Sequence, residues 1–441
     1  MKRTITGHLH PEPVQSRVHC PCSSRPILEN IAAMRRVKRD CTPAAVLAGM
    51  VSVIIGWAGP NVLIYSVQQA GGLTFGQAMS WLWGHAIFTG LAGLYLSLRT
   101  RMPLLSTWST PGIAFLVLAL PGIPFAEAVG AFLTSAVLVL LVGFIGPLFR
   151  ALQRLPAHLA AALNAAILLP FAFRAIGALN DLPLVVGAMM LTYLVMRRLA
   201  PTWAVAAVLV VAIVASAATG SWHPVPVPIE LTVPELIVPA FSLRATISLA
   251  IPLTLLAFTG QFLPGFGVLR ANGYQPDMGR VLRVCGLVSI PAALVGCHNL
   301  TLAALLANVV SGPEVAPERE KRYTAAVWAS IFGIAVGLFS GTVLTALGVL
   351  PPAAVAALAG LALLAALSQS LVTAFTPVGE VKPLAPAIII AVTLSGIMPF
   401  GIGSAFWGIV AGLAIHALDG VRRPSRSARQ SGLSSIATAG R

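Results

Sequence analysis

From about Ala44 to Leu418 the chain is a succession of apolar runs separated by short polar breaks. Most are near the roughly 20 residues that, as a helix, span about 30 Å of hydrocarbon. They lack apolar/polar alternation at period two, so they are predicted as helices satisfying their own backbone groups and not as barrel strands. The pattern predicts fourteen segments, with boundaries good to a few residues. The first seven lie near 44–66, 76–98, 104–120, 126–148, 157–177, 182–198 and 202–219. The second seven lie near 245–266, 280–296, 298–312, 323–348, 352–372, 384–399 and 403–419. Between the groups, Trp222 to Phe241 carries five prolines and is predicted to link two halves. Its alternating apolar residues predict a helix or strand resting on the membrane surface.

An odd number of spans per half makes the halves point opposite ways across the membrane. The third segment of each half breaks the pattern: PLLSTWSTPGIAF (Pro103 to Phe115) and GCHNLTLAALLAN (Gly296 to Asn308) begin with polar and small residues and turn apolar partway. Paired interrupted segments in matching positions are the sequence signature of a transporter binding site. Pro111 fits the first turn of a helix and disfavours helical backbone at Thr110. Ser109 or Thr110 is therefore predicted to cap a half-helix, with Pro103 to Trp108 an extended lead-in. The open amides of such a terminus favour an anion, and a small carboxylate fits. Trp108 could stack on a flat ring, and Gly112 permits close backbone approach. In the second half Asn299 or Thr301 is predicted to cap a helix running from Leu302 to Val310, with His298 beside it. An ordinary helix start at the membrane edge is the other reading of Thr110-Pro111-Gly112.

Composition agrees: of 441 residues, 57% are hydrophobic and 9% charged, too few charges to coat a soluble globule of this size. A net charge of +15 would suit nucleic acid, but the basic residues sit in alternate loops and no basic-aromatic module accompanies them. Arg35, Arg36, Lys38 and Arg39 precede the first span. Arg99 and Arg101, Arg150 and Arg154, Arg197 and Arg198 follow, then Arg270, Arg280 and Arg283. Arg319, Lys321, Arg322, Lys382 and Arg422 to Arg429 complete the series. By the positive-inside rule these loops and both termini are cytoplasmic, which requires an even number of spans. Residues 1–43 hold no apolar signal segment and are predicted to be a disordered tail; Met34 would also serve as a start. The five cysteines suggest no disulfide framework. HCPC, His19 to Cys22, lacks a second ligand pair, so no metal or cofactor is expected.

No acidic residue is placed near the middle of a span, which argues against a carboxylate proton relay. Histidines remain, and they titrate in the useful range: His298 at the tenth-segment break and His85 in the second span are the proton-coupling candidates, ahead of His158 and His416. Gln261, a lone amide in the eighth span before Pro264-Gly265, could bind a carboxylate or close an interhelical hydrogen bond.

These stretches resemble one known family, the bacterial benzoate:proton symporters (BenE type). The resemblance rests on SWLWGH (Ser80 to His85), WSTPG (Trp108 to Gly112), LPGFGVLRANGY (Leu263 to Tyr274), GCHNLTLAA (Gly296 to Ala304), GPE (Gly312 to Glu314) and KRY (Lys321 to Tyr323). It covers roughly Ala44 to Leu418. It implies a fold shared with nucleobase permeases and related anion transporters: fourteen spans in two inverted sevens, with substrate between the third and tenth. A core of spans one to four and eight to eleven would move against a gate of five to seven and twelve to fourteen. The sequence departs from the family pattern at Gly260-Gln261-Phe262, where Ser-Gln-Asn is usual, and at Thr301, where Asn is usual. A usual Glu-Ala-His-Pro loop reads Glu314-Val315-Ala316-Pro317. Phe262 in place of a polar residue would favour a more apolar acid.

The sequence therefore predicts an all-α polytopic membrane protein and no enzyme. Residues 1–43 form a tail, 44–219 a first repeat (core 44–148, gate 157–219), 220–244 a periplasmic linker, 245–419 a second repeat (core 245–348, gate 352–419) and 420–441 a second tail. The expected function is import of benzoate or a similar aromatic carboxylate across a bacterial inner membrane by proton symport with elevator-like alternating access. Trp108, Ser109, Thr110, Gly112, Gln261, Phe262, Asn299 and Thr301 are the expected substrate shell, and His298 and His85 the proton-coupling groups. A homodimer is left open. The alternatives are a permease for another small anion or a nucleobase, or a channel-like anion pathway.

Overall fold

The computed structural model describes residues 35–59, 62–222, 225–376 and 384–421. The predictions for the two tails, the HCPC motif and the Lys382 loop fall on or mostly on residues outside these. The chain divides into units Met1–Asp40 and Cys41–Arg441. In the first, Arg35 to Asp40 is helical. All else below concerns the second.

Helices dominate, and their starts follow local chemistry. Thr42 caps Pro43–Ala58, its hydroxyl accepting the Ala45 amide at 3.0 Å, with proline in the first turn. Thr74 and Gln77 form a reciprocal capping box that opens Phe75–Thr100. Among the described residues, six helices are long and apolar enough to cross a membrane, or seven if Arg319–Gly337 and Ser340–Gly348, bent by 72° at their break, count as one span. Of the remaining predicted segments, Phe75–Thr100 is long enough but less apolar, and Thr110–Ala119, Leu384–Leu394 and Ser404–Leu418 are short apolar helices.

Four pairings organise the interior. Phe75–Thr100 packs on Tyr323–Gly337, Phe125–Phe144 on Met278–Leu294, and Ala157–Gly177 on Pro352–Phe375. The fourth is a two-stranded antiparallel ribbon of β1 (Ser106–Trp108) and β2 (Leu300–Leu302), with Ser106 opposite Leu302, Thr107 opposite Thr301 and Trp108 opposite Leu300. Exchanging the halves swaps the first two pairings and maps the other two onto themselves. Small residues permit the close contacts: a Cβ on Gly90 would lie 2.4 Å from Ile334 Cγ1.

The linker differs from expectation. Residues 225–241 form neither helix nor strand. Pro226, Pro228, Pro234 and Pro239 fix φ and remove donors along it. Several of its other amides bond to the helices, Thr232 to Leu338 O at 2.8 Å, Ile237 to Leu294 O at 2.8 Å and Ala240 to Ala126 O at 2.9 Å, and Glu235 N–H donates to Ser80 Oγ at 2.7 Å. The linker is thus tied to the helices of the first two pairings.

Candidate functional site

The junction of β1 with Thr110–Ala119 forms as its sequence predicts. Ser109 is the N-cap, in extended backbone, and its hydroxyl accepts the Gly112 amide at 3.1 Å. The strand ladder runs on past the ribbon: Ser109 N–H donates to Asn299 O at 3.2 Å and Ala303 N–H to Leu105 O at 2.8 Å. Ser106 Oγ donates to Thr301 O at 2.9 Å and Thr301 Oγ1 to Thr107 O at 3.1 Å, so hydroxyls cross-brace the two strands. Of the first-turn amides, Gly112 is satisfied by Ser109 and Pro111 has none to give. The Thr110 N–H and hydroxyl meet no partner among the described residues. The terminus therefore offers an anion one residue, Thr110, and not a nest of amides.

The second interrupted segment is also a short strand followed by a helix, but its helix starts later than expected. Leu300–Leu302 is strand, and helix resumes only at Ala307–Ser311, with Leu306 at its N-cap and no side-chain bond. Neither Asn299 nor Thr301 caps a helix: the strand ladder takes their backbone, the Thr301 hydroxyl braces the ribbon and the Asn299 side chain turns to Phe125–Phe144. Asn299 Nδ2 donates to Ser135 Oγ at 2.6 Å, and Ser135 lies 2.7 Å from Thr254 Oγ1.

A cavity of about 750 Å³ opens beside this junction, within the range of small-molecule sites. Its wall includes Trp108, Thr110, Pro111, Gln261 and His85, together with Asn164, Thr259, Ser370 and Gln369. Among the described residues no Asp, Glu, Lys or Arg lines it, and His85 is the one titratable side chain that does. Gln261 Oε1 accepts the Ala304 amide at 3.2 Å, leaving its NH2 group free toward the cavity. Gln261 lies in a π-helical stretch, Phe258–Phe262, within the continuous helix Leu243–Ala271. Gly260 brings that stretch against the half-helix: a Cβ there would sit 2.9 Å from Pro111 Cγ. Thr110 and Gln261 thus present N–H and O–H donors to one space, the requirement for holding a carboxyl group.

Of the residues singled out in the sequence, Trp108, Thr110, Gln261 and His85 line the cavity, and Ser109, Gly112, Phe262, Asn299, Thr301 and His298 lie behind its wall. Phe262 stacks on Phe266, ring centroids 6.4 Å apart, in a separate apolar cluster. From there it cannot tune the cavity's polarity directly. His298 is fully buried among Trp81, Trp108 and Phe132. Its Nε2 lies 3.0 Å from Ser109 O; a carbonyl only accepts, so Nε2 carries the proton and donates. His298 therefore props the capping loop. Asn164 and Ser370 were missed because a lone amide or hydroxyl in an apolar span reads equally as a helix-packing bond.

An uncharged cavity at a strand-to-half-helix junction, inside a polytopic membrane protein dominated by helices, is the arrangement of a transporter binding site. The family described as benzoate membrane transport protein (BenE) matches residues 39–418. The chain is 34% identical over 384 residues to a benzoate membrane transport protein of Acinetobacter baylyi, covering 87% of this chain and 97% of that one. It is 34% identical over 370 residues to the inner membrane protein YdcO of Escherichia coli, covering 84% and 94%. The chain belongs to the BenE family. Its fold is similar to the transmembrane domain of a cyanobacterial bicarbonate transporter, BicA, with TM-score 0.60, 15% identity and coverage of 84% of this chain and 96% of that one. It is also similar to the murine anion transporter Slc26a9 in its inward-facing state, with TM-score 0.54, 13% identity and coverage of 95% and 77%.

Proposed function

We propose that this chain imports benzoate or a similar aromatic carboxylate across a bacterial inner membrane by proton symport. The observation that carries the reading is the convergence of Thr110 and Gln261 on an uncharged cavity whose wall also holds the Trp108 indole. The donors suit the carboxyl group and the indole suits the ring. Nucleobase permeases usually hold ring N–H groups with carboxylates, and among the described residues the wall has none. The chain's membership in the family and the names of its two relatives support the substrate class and the membrane.

The helix pairings support two inverted seven-span halves, since exchange of the halves preserves them. The basic residues in alternate loops support cytoplasmic termini. The linker's ties to Phe75–Thr100, Phe125–Phe144, Met278–Leu294 and the start of Ser340–Gly348 support a core that moves as one body against a gate. The gate is built on Ala157–Gly177 and Pro352–Phe375. His85, on the cavity wall, is the proton-linked group, with His298 holding the loop behind it.

A thermal-shift panel on purified protein tests the substrate class, because a ligand bound only by the folded state raises stability by about 2.7 kcal/mol at a hundredfold excess over Kd. Benzoate and substituted benzoates raise the unfolding temperature, whereas uracil and aliphatic acids do not. No shift from any aromatic acid removes the proposal.

A further inference from the structure

Asn164 stands on Ala157–Gly177 and lines the same cavity as Thr110 and Gln261. Gly260 locates it. The Cβ position of that glycine lies 2.9 Å from Pro111 Cγ on one side and 3.5 Å from Asn164 Nδ2 on the other. The Asn164 amide is thus adjacent both to the turn that carries Thr110 and to the π-helical stretch that carries Gln261.

Its hydrogen bonding is incomplete. Nδ2 donates to Ser370 Oγ at 3.4 Å, long for such a bond, and Oδ1 is buried without a partner. Whichever way the amide plane is turned, Ser370 meets one of its two polar ends only. A buried polar atom left unpaired is costly, and in a native fold it calls for a partner. A carboxyl group supplies that partner. A carboxylate oxygen accepts from the amide N–H, and the protonated acid pairs both ends, its C=O with the N–H and its O–H with the amide carbonyl.

We propose that Asn164 is a substrate-binding residue that takes the carboxyl group from Ala157–Gly177, beside Thr110 and Gln261. The inference rests on the reading of the cavity as an aromatic-acid site and deepens it. The carboxyl group is shared between helices predicted to belong to core and gate, so its arrival bonds the two bodies together.

The test compares wild type with Asn164→Leu and Ser370→Ala, measuring unfolding temperature with and without saturating benzoate and KM for benzoate uptake in proteoliposomes. Asn164→Leu removes the unpaired atom, so the ligand-free unfolding temperature is unchanged or higher. The benzoate-induced shift disappears and KM rises at least about tenfold, about 1.4 kcal/mol. Ser370→Ala, which removes the neighbour of Asn164 and not Asn164 itself, reduces the shift by less than Asn164→Leu does. If Asn164→Leu lowers the ligand-free temperature while keeping the shift and KM, Asn164 is a packing residue and the inference is overturned. Should Asn164→Leu not fold, Asn164→Ser is judged by the same shift and KM. A wild type that responds to no aromatic acid overturns the functional reading and this inference together.

Discussion

The imidazole of His85 lies nearly flat on the indole of Trp108, ring centroids 4.1 Å apart and planes inclined by 21°. His298 approaches the same indole at 5.6 Å and 32°. A cation against an indole face is attracted by about 0.5–2 kcal/mol, so a proton on His85 is felt by the aromatic wall of the cavity. Occupancy by an aromatic acid and protonation of His85 are then linked through one side chain.

His85→Gln is expected to lower proton-driven accumulation of benzoate at least about tenfold, about 1.4 kcal/mol, while benzoate exchange at equal pH on both sides continues. Parallel measurement of accumulation and exchange in proteoliposomes checks this. Equal loss of both makes His85 a binding or folding residue.

His298→Leu should act on stability instead. It removes the bond to Ser109 O and disturbs a fully buried contact with Trp81, Trp108 and Phe132. Ser109 O keeps the Ile113 amide at 2.9 Å, so the lost bond costs about 1 kcal/mol, to which the disturbed packing adds. Thermal unfolding of the ligand-free protein reads this directly, and an unchanged midpoint contradicts it.

Thr110→Val keeps the β-branched shape and removes the hydroxyl that faces the cavity. KM for benzoate should rise about tenfold with little change in stability. Ser109→Ala should instead cost about 1 kcal/mol of stability through the lost N-cap. Uptake kinetics beside thermal unfolding separate the two.

What was legible in the sequence was local chemistry. Pro111 and the hydroxyls before it locate the start of the half-helix, and proline fixes that without reference to the rest of the chain. Gln261 was legible as an amide out of place in an apolar run. Side-chain direction was not. The π-helical turn at Phe258–Phe262 shifts the phase of its helix, sending Gln261 to the cavity and its neighbour Phe262 to another cluster. Asn299 and Thr301 look like caps until the ribbon partner is known, because a strand pairing across nearly two hundred residues leaves no local signal. Asn164 carries the same local signal as Gln261, but no flanking Pro-Gly marks it.

Phe262→Leu provides a check on that phase. Phe262 lies outside the cavity wall, so the ratio of uptake rates for benzoate and its alkylated analogues should not change, and stability should fall by about 1 kcal/mol. A changed substrate ratio places Phe262 at the site after all.

Gly260→Ala probes the contact between the half-helix and the π-helical stretch. The added methyl would meet the rigid Pro111 ring at 2.9 Å, and overpacking of this kind costs about 1–3 kcal/mol. Benzoate affinity should fall because Thr110 and Gln261 are pushed apart. Thermal shift with benzoate measures this, and wild-type affinity would show the contact to be compliant.

The central claim is proton-coupled import of an aromatic carboxylate, and accumulation of labelled benzoate by proteoliposomes under an imposed inward proton gradient tests it most directly. The account predicts accumulation above equilibrium, abolished by a protonophore and not competed by uracil. Equilibration that ignores the gradient, or no uptake at all, would contradict it.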